Sequence, residues 1–356
     1  MIVACTGAQK TLLSEEFPFL TFVELQGYSI KYDKNRALTI LRLMRSIPKI
    51  LIRIKREKAW LRNFATHEGL DLVISDNRYG LTTPGIPCIF MTHQLLIKTP
   101  FGRWADRILQ SLNYRTIRHF SRCWIPDTAR EGLAGELSHP TRMPPIPTRY
   151  IGWLSRFEAA GSLHALATPT AREGAYVLAL LSGPEPQRTL LEKDILRQAS
   201  ALALDKTAPG CRLVIVRGLP GGGKPLSGLP APGPPALPPW ITLYDHLPAK
   251  TLEPLLLDAR LVVARPGYST VMDLERLGKR ALLIPTPGQT EQEYLGPYLA
   301  GKGWAGYVDQ RSFSLAKAFE MALAGSGSRE RQPEDPGLLA AEIKDILSQS
   351  FSPALG

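Results

Sequence analysis

Unbroken apolar runs of strand length recur along this chain, each closed by a polar or glycine-bearing turn: MIVACTG, DLVISD, IPCIFMTHQ, RCWIPD, AYVLALLSG, RLVIVRG, WITLYDH and LVVARPG. A strand with one wet face alternates apolar and polar residues, whereas a parallel strand covered on both faces does not. The runs here are of the second kind. Helix-compatible segments such as QRTLLEKDILRQASALAL lie between them, and this alternation predicts an α/β protein built on open parallel sheets. In such sheets ligands gather just beyond the carboxyl ends of the strands. The turns that close the runs are therefore the places to look for chemistry.

At 356 residues the chain is long enough for two domains, each with its own core. The segment HPTRMPPIPTRYIG, residues 139–152, is proline-rich and without periodicity and marks a domain crossing. The expected division is 1–150, 151–328, and a linker with a C-terminal amphipathic helix over 329–356. Within the second domain, GLPGGGKPLSGLPAPGPPALPP (218–239) is too rich in Pro and Gly to pack and reads as a disordered loop. Its GLPGGGK imitates a phosphate-binding P-loop. Pro225 stands where that motif needs Ser or Thr to ligate magnesium and open a helix, so the required context fails.

A net charge of +11 favours an anionic partner: a phosphorylated small molecule, a phospholipid surface or nucleic acid. No run of about 18 uncharged apolar residues spans a bilayer, and MIVACTGAQK lacks the parts of a signal peptide. A cytoplasmic protein is expected, with peripheral membrane contact as one option. Cys5, Cys88, Cys123 and Cys211 are scattered, with no CxxC pair, so neither a disulfide framework nor a zinc site is suggested. No His or carboxylate cluster proposes a metal, and no cofactor is expected. From Asn35 to Leu61 the sequence reads as two basic helices divided near Pro48. They either dock on anionic lipid through Ile50, Leu51, Ile54 and Trp60 or pack on a sheet with a solvated basic face.

Chemistry concentrates in ARPGYSTVMDLERLGKRALLIPTPGQTEQEY, Ala264 to Tyr294. Here two strands each lead through a small-residue turn into a helix N-terminus. Free amides and the helix dipole make such N-termini favourable for phosphate, and Gly267 lets the backbone approach it. Ser269 and Thr270 add hydroxyl donors. Asp273, one turn on, points back toward the same end, where a carboxylate accepts hydrogen bonds from ribose hydroxyls. Thr270 to Asp273 and Thr290 to Glu293 also fit capping-box spacing. Spacing alone leaves capping and ligand binding equally open. In the first domain, Asp76, Asn77 and Arg78 follow one strand and Thr92, His93 and Gln94 follow the next, where a ligand site belongs.

The stretch from Ala264 to Tyr294 resembles the donor-binding half of the GT-B glycosyltransferases of family 28, a similarity that extends over about 175–306. The resemblance implies two Rossmann-like domains, the first acceptor-side and incomplete at its start, the second binding a nucleotide sugar, with UDP the leading candidate. It places the diphosphate at Gly267, Tyr268, Ser269 and Thr270, the ribose at Asp273, and the sugar hydroxyls at Gln292 and Glu293. The turn SGPEPQR is similar to the family's other glycine-rich turn and sets Gly183 and Arg188 near the nucleotide, although Pro184 and Pro186 remove backbone donors. DHLP puts His246 and Leu247 beside the base. Family members begin one strand, one glycine turn and one helix earlier, so Met1 is expected to lie inside a longer reading frame.

An inverting, metal-independent transfer to an unidentified lipid-linked or phosphorylated acceptor is the implied reaction. Its general base is sought at Asp76 or His93. Two other readings stay open at this level. One is an inactive fragment or pseudoenzyme that still binds nucleotide sugar. The other is a basic membrane- or nucleic-acid-binding protein working through 35–61; the glycosyltransferase reading calls for no nucleic acid.

Overall fold

The computed structural model describes residues 1–27, 36–99, 101–130, 132–157, 175–204, 210–219, 237–325, 328 and 337–351. The P-loop imitation at Lys224, most of the Pro/Gly segment and most of the linker before the last helix lie outside these residues. The chain divides into two compact units, Met1–Thr39 with Ser155–Arg331, and Ile40–Leu154 with Gln332–Gly356. Both are α/β with parallel sheets. They divide at Leu154/Ser155, and each also takes in a distant segment: the first 39 residues join the unit containing 155–331, and the C-terminal helix joins the other.

The chain opens with β1 (Ile2–Cys5), α1 (Gly7–Glu16) and β2 (Thr21–Glu24), the strands forming a parallel pair. Thr6 and Gln9 close a capping box on α1, which satisfies amides that a helix start leaves open. The Glu16 carboxylate of α1 accepts a hydrogen bond from the Ala249 amide at 3.0 Å, tying this hairpin-sized unit to the segment after Ser155.

The long α2 (Arg36–Glu68) follows, a single helix with Pro48 inside it. This corrects the expected division at Pro48. A proline costs an interior helix about 3 kcal/mol, too little to end so long a run. Leu51 and Ile52 are exposed, while Trp60 stacks on Phe64 at 4.9 Å.

Next come β3 (Val73–Asp76), β4 (Cys88–Met91), α3 (Arg103–Ile117), β5 (Arg122–Ile125) and β6 (Thr148–Tyr150). The four strands pair in the order β3-β4-β5-β6, all parallel. At the carboxyl end of β5 the fully buried Asp127 accepts from the Thr128, Leu133 and Ala134 amides, the Ser138 hydroxyl and the Trp153 indole N–H. Those donors let a carboxylate stay inside without a cation.

The second large sheet carries β7 (Tyr176–Leu180), α4 (Gln187–Leu204), β8 (Arg212–Val216), β9 (Ile241–Tyr244), α5 (Ala249–Asp258), β10 (Leu261–Ala264), α6 (Tyr268–Arg276), β11 (Ala281–Leu283), α7 (Thr290–Gly301), β12 (Gly306–Tyr307) and α8 (Leu315–Leu323). Its order is β12-β11-β10-β7-β8-β9, all parallel. Val177, Ala179, Leu213, Ile215, Leu261 and Val263 fill the layer between this sheet and α4 and α8, together with Ile195 and Phe319. The winding reverses between β7 and β10, which creates a switch point where the following turns diverge and leave a crevice. Gly278, at φ +61°, ends α6 in the left-handed conformation that favours glycine.

The last helix, α9 (Leu338–Phe351), belongs to the unit of β3–β6, where Ile346 is buried with Ile89, Trp124 and Ile151. Its Glu342 accepts hydrogen bonds from the Trp124 indole at 3.2 Å and from Arg122 at 3.1 Å, and Asp345 pairs with Arg122 at 2.7 Å. Among the described residues no helix is long and apolar enough to cross a membrane.

Candidate functional site

Five turns line the carboxyl edge of the six-stranded sheet, and the strand order fixes their sequence in space. From one side they are the β11–α7 turn at Thr286–Gln289, the β10–α6 turn at Arg265–Gly267, the β7–α4 turn at Leu181–Pro186, the residues after β8 at Arg217–Gly218, and those after β9 at Asp245–Leu247. The second and third flank the switch point.

The α6 N-terminus is open. Gly267 is its N-cap and gives no side-chain hydrogen bond, and the first bond of the helix runs from the Val271 amide to the Gly267 carbonyl. The amides of Ser269 and Thr270 have no partner among the described residues. Ser269 is exposed, Thr270 half-buried and Tyr268 buried. Positive potential from the helix end and two unsatisfied amides therefore meet solvent at the switch point.

The α4 N-terminus is closed. The Gln187 and Arg188 amides donate to the Pro184 carbonyl, the Leu190 amide to Pro186, and the Thr189 amide to the Glu185 carboxylate. Arg188 is buried and its guanidinium is fully engaged by Glu185 at 2.7 Å, Glu192 at 2.7 Å, the Thr189 hydroxyl at 2.8 Å and the Arg217 carbonyl at 3.3 Å. Glu192 also takes Arg217 at 2.7 Å, which reaches on to Asp245 at 2.7 Å. Burial raises the Glu185 carboxyl, but the hydrogen bonds from Thr189 and Arg188 outweigh it and hold the group below its ordinary value. Gly183, at φ +102°, faces Thr286, whose buried hydroxyl has no hydrogen-bond partner among the described residues.

Asp273 does not cap α6, and Thr270 lies inside the helix rather than at its N-cap. The Asp273 carboxylate accepts from the Ser155 hydroxyl at 2.7 Å, Arg156 Nε at 3.1 Å and the Arg156 amide at 3.4 Å. Burial raises its pKa, and Arg156 pulls it part of the way back. The sequence points to a ribose acceptor here; the structure adds that this carboxylate also holds the segment at 155–156. Three of its roughly four acceptor positions are used.

Gln292 is buried and its side-chain oxygen accepts from the Thr286 amide at 2.9 Å; the Glu293 carboxylate accepts from the Gly288 amide at 2.8 Å. Both residues brace the β11–α7 turn from within α7, and the α7 N-cap is Gln289, with no side-chain bond. The capping-box reading thus fails at Thr290 as well. His246 is half-buried and Leu247 buried, two strand positions from β7, about 10 Å along the edge.

Arg265, which sequence reasoning passed over, joins three of these turns. It is fully buried and donates to the Ile284 and Pro285 carbonyls at 2.9 Å each, the Gln187 carbonyl at 3.1 Å and the Gln310 side chain at 2.7 Å. Burial lowers its pKa to about 10. Its only outward signal in the sequence is a charged residue directly after an apolar strand.

In the other unit, Asp76 ends β3 and His93 follows the adjacent β4, in register through the Asp76–Met91 pair, and the two lie within electrostatic reach of each other. Asn77 takes a left-handed φ of +56° and donates its amide to the Met91 carbonyl. The two candidates therefore share one sheet edge. Among the described residues no group of three or more His, Cys, Asp or Glu side chains is placed to hold a metal.

Residues 244–347 match the family model described as the glycosyltransferase family 28 C-terminal domain. Among solved structures, a kitacinnamycin glycotransferase superposes with TM-score 0.59 at 13% identity, covering 98% of this chain and 87% of that one. The spinosyn rhamnosyltransferase SpnG complexed with thymidine diphosphate gives 0.53 at 16% identity, with 98% and 88% covered. MurG from Acinetobacter baumannii gives 0.50 at 11% identity, with 97% and 90% covered. At these identities the likeness is one of fold. A comparison with curated protein sequences finds no significant match.

Proposed function

We propose that this chain, a family 28-like glycosyltransferase of GT-B fold, moves a hexose-type sugar from a nucleoside diphosphate sugar, with UDP the first candidate, to a hydroxyl acceptor. The observation that carries the reading is the order of turns along the carboxyl edge. The β11–α7 turn braced by Gln292 and Glu293, the residues assigned here to the sugar, comes first, the open α6 N-terminus with Gly267, Ser269 and Thr270 next, and His246 with Leu247 two strands past β7. Sugar, diphosphate and base follow one another in the same order in the ligand. The solved rhamnosyltransferase with thymidine diphosphate supports a diphosphate ligand for a protein of this fold.

In this reading the Ser269 and Thr270 amides and the helix dipole stabilise the charge that grows on the departing diphosphate. Arg156, held by Asp273, adds a guanidinium beside the same helix, and Asp273 keeps one acceptor position for a ribose hydroxyl. Arg188 acts structurally, because its donors are already spent on Glu185 and Glu192. The acceptor oxygen attacks the anomeric carbon from the face opposite the diphosphate, and Asp76 or His93 takes its proton, which gives inversion. The +11 charge fits a phosphorylated or lipid-linked acceptor. The test is release of nucleoside diphosphate from a panel of sugar nucleotides and acceptors. Asp76→Asn or His93→Gln is expected to lower kcat by about a hundredfold or more with nucleotide affinity unchanged. Full activity in both variants would remove the assignment of the base.

A further inference from the structure

A protein that holds a phosphate group supplies backbone amides at a helix start, a hydroxyl and a guanidinium fork. The β7–α4 turn assembles that set, and the chain's own Glu185 fills it. Its carboxylate accepts from the Thr189 amide at 3.2 Å, the Thr189 hydroxyl at 3.0 Å, and two nitrogens of the buried Arg188 at 2.7 and 2.6 Å. The Glu185 side chain is 44% exposed, so its negative charge faces solvent at the carboxyl edge.

Strand β7 lies between β10 and β8, and neighbouring strands are about 5 Å apart. Glu185 therefore stands beside the open α6 N-terminus, on the side toward His246 and Leu247. The charges linked to it are Glu185, Glu192 and Asp245 against Arg188 and Arg217. Three carboxylates face two guanidinium groups, and this part of the edge is net negative in a chain of net charge +11. Across the same turn, the Thr286 hydroxyl facing Gly183 is fully buried and has no hydrogen-bond partner among the described residues. A polar ligand group at this turn answers such a hydroxyl.

On the donor reading above, we propose that Glu185 determines which anions the donor edge accepts: its carboxylate takes the place of a second phosphate at α4, so the edge holds one diphosphate at α6 and disfavours each further negative charge. A terminal phosphate gains a second charge near neutral pH, which a phosphate esterified to a sugar cannot do. The same carboxylate therefore favours the sugar nucleotide over the more highly charged nucleoside diphosphate left after transfer.

The experiment is calorimetric titration of the full chain at pH 8 with uridine mono-, di- and triphosphate, and with the thymidine series in parallel. Wild type is compared with Glu185→Gln and Glu185→Ala. Two unit charges about 8 Å apart in water change a binding constant about twofold. Glu185→Gln is therefore expected to tighten the triphosphate about fourfold more than the monophosphate, which carries two charges fewer. Glu185→Ala also releases the Thr189 amide, its hydroxyl and the Arg188 fork, and is expected to gain about tenfold more on the triphosphate. Asp194→Asn, which removes a carboxylate further along α4, is expected to leave the series unchanged. Circular dichroism checks that each variant folds. Wild-type binding with the same mono- to triphosphate ratio in both folded Glu185 variants overturns the proposal and leaves the donor reading standing. Weaker binding in both variants, or an equal gain in Asp194→Asn, overturns it too. A folded wild type that binds neither series overturns it together with the donor reading.

Discussion

Replacing Arg265 by methionine tests whether the turns of the donor edge are held as one piece. The substitution keeps most of the side-chain volume and removes donors to the Ile284, Pro285 and Gln187 carbonyls and to Gln310. Each buried acceptor left without a partner costs roughly 1–3 kcal/mol; the Gln187 carbonyl keeps its place in the α4 ladder, so the Ile284 and Pro285 carbonyls together approach about 4 kcal/mol at mid-range. Against this, the variant no longer buries a cation. The fall of the Arg265 pKa from 12.5 to about 10 sets that relief at about 3 kcal/mol. The net expectation is a loss on the order of 1 kcal/mol, measured by urea denaturation of the full chain followed by circular dichroism. Arg265→Lys should lose a similar amount, because one ammonium cannot reproduce a planar fork directed at separate turns. A loss below about 0.5 kcal/mol in both variants would refute the reasoning that this guanidinium organises the edge.

Glu192 bridges Arg188 and Arg217 with a side chain only 8% exposed; Glu192→Gln should cost about 3 kcal/mol by leaving buried charge uncompensated, and an unchanged denaturation midpoint would contradict this. Burial holds the Lys279 amine down to about 8 from 10.5. Its folded pKa lies below its unfolded one, so the unfolded chain binds the extra proton in between, and the Lys279 contribution to stability rises as pH climbs through that window. The stability difference between wild type and Lys279→Met, followed by denaturation from pH 7 to 11, should rise accordingly; a flat difference would dismiss the assignment. Asp273→Asn should loosen Arg156 and reduce nucleotide affinity about tenfold or more, read by competition with a fluorescent nucleotide, and equal affinity would show that the carboxylate serves only the 155–156 segment.

Much of the sheet framework was legible because unbroken apolar runs have few uses other than covered parallel strands. LVVA at β10 and RLVIV at β8 announce themselves in this way. Helix α4 matches its sequence pattern to the residue, Gln187 to Leu204. Helix α3 escaped notice because its apolar residues face outward and its buried face includes Asp106 and Asn113, which reverses the usual amphipathic rule. The strands β6 and β12, three and two residues long, are too short for periodicity to register.

The candidate site was legible as turns and positions but not as partners. Sequence spacing placed Asp273 and Glu293 correctly within their helices, yet only the fold shows that Ser155 and Arg156 meet the first and the Gly288 amide meets the second. Arg188 shows the same limit. A basic residue after a glycine turn suggests phosphate; its pairs with Glu185 and Glu192 are local, three and four residues away, but the further link from Glu192 to Arg217 depends on strand order, which local spacing does not encode.

The most direct measurement is calorimetric titration of the full chain with UDP and with thymidine diphosphate, comparing wild type with Ser269→Asp. Aspartate at the exposed second position of α6 suits a helix start and should leave the fold intact, while its charge repels a diphosphate at the Ser269 and Thr270 amides. The predicted result is stoichiometric binding of at least one nucleoside diphosphate to the wild type and its loss in Ser269→Asp at an unchanged denaturation midpoint. A folded wild type that binds neither nucleotide, or a Ser269→Asp variant that binds as tightly as wild type, would contradict a donor diphosphate at the α6 N-terminus.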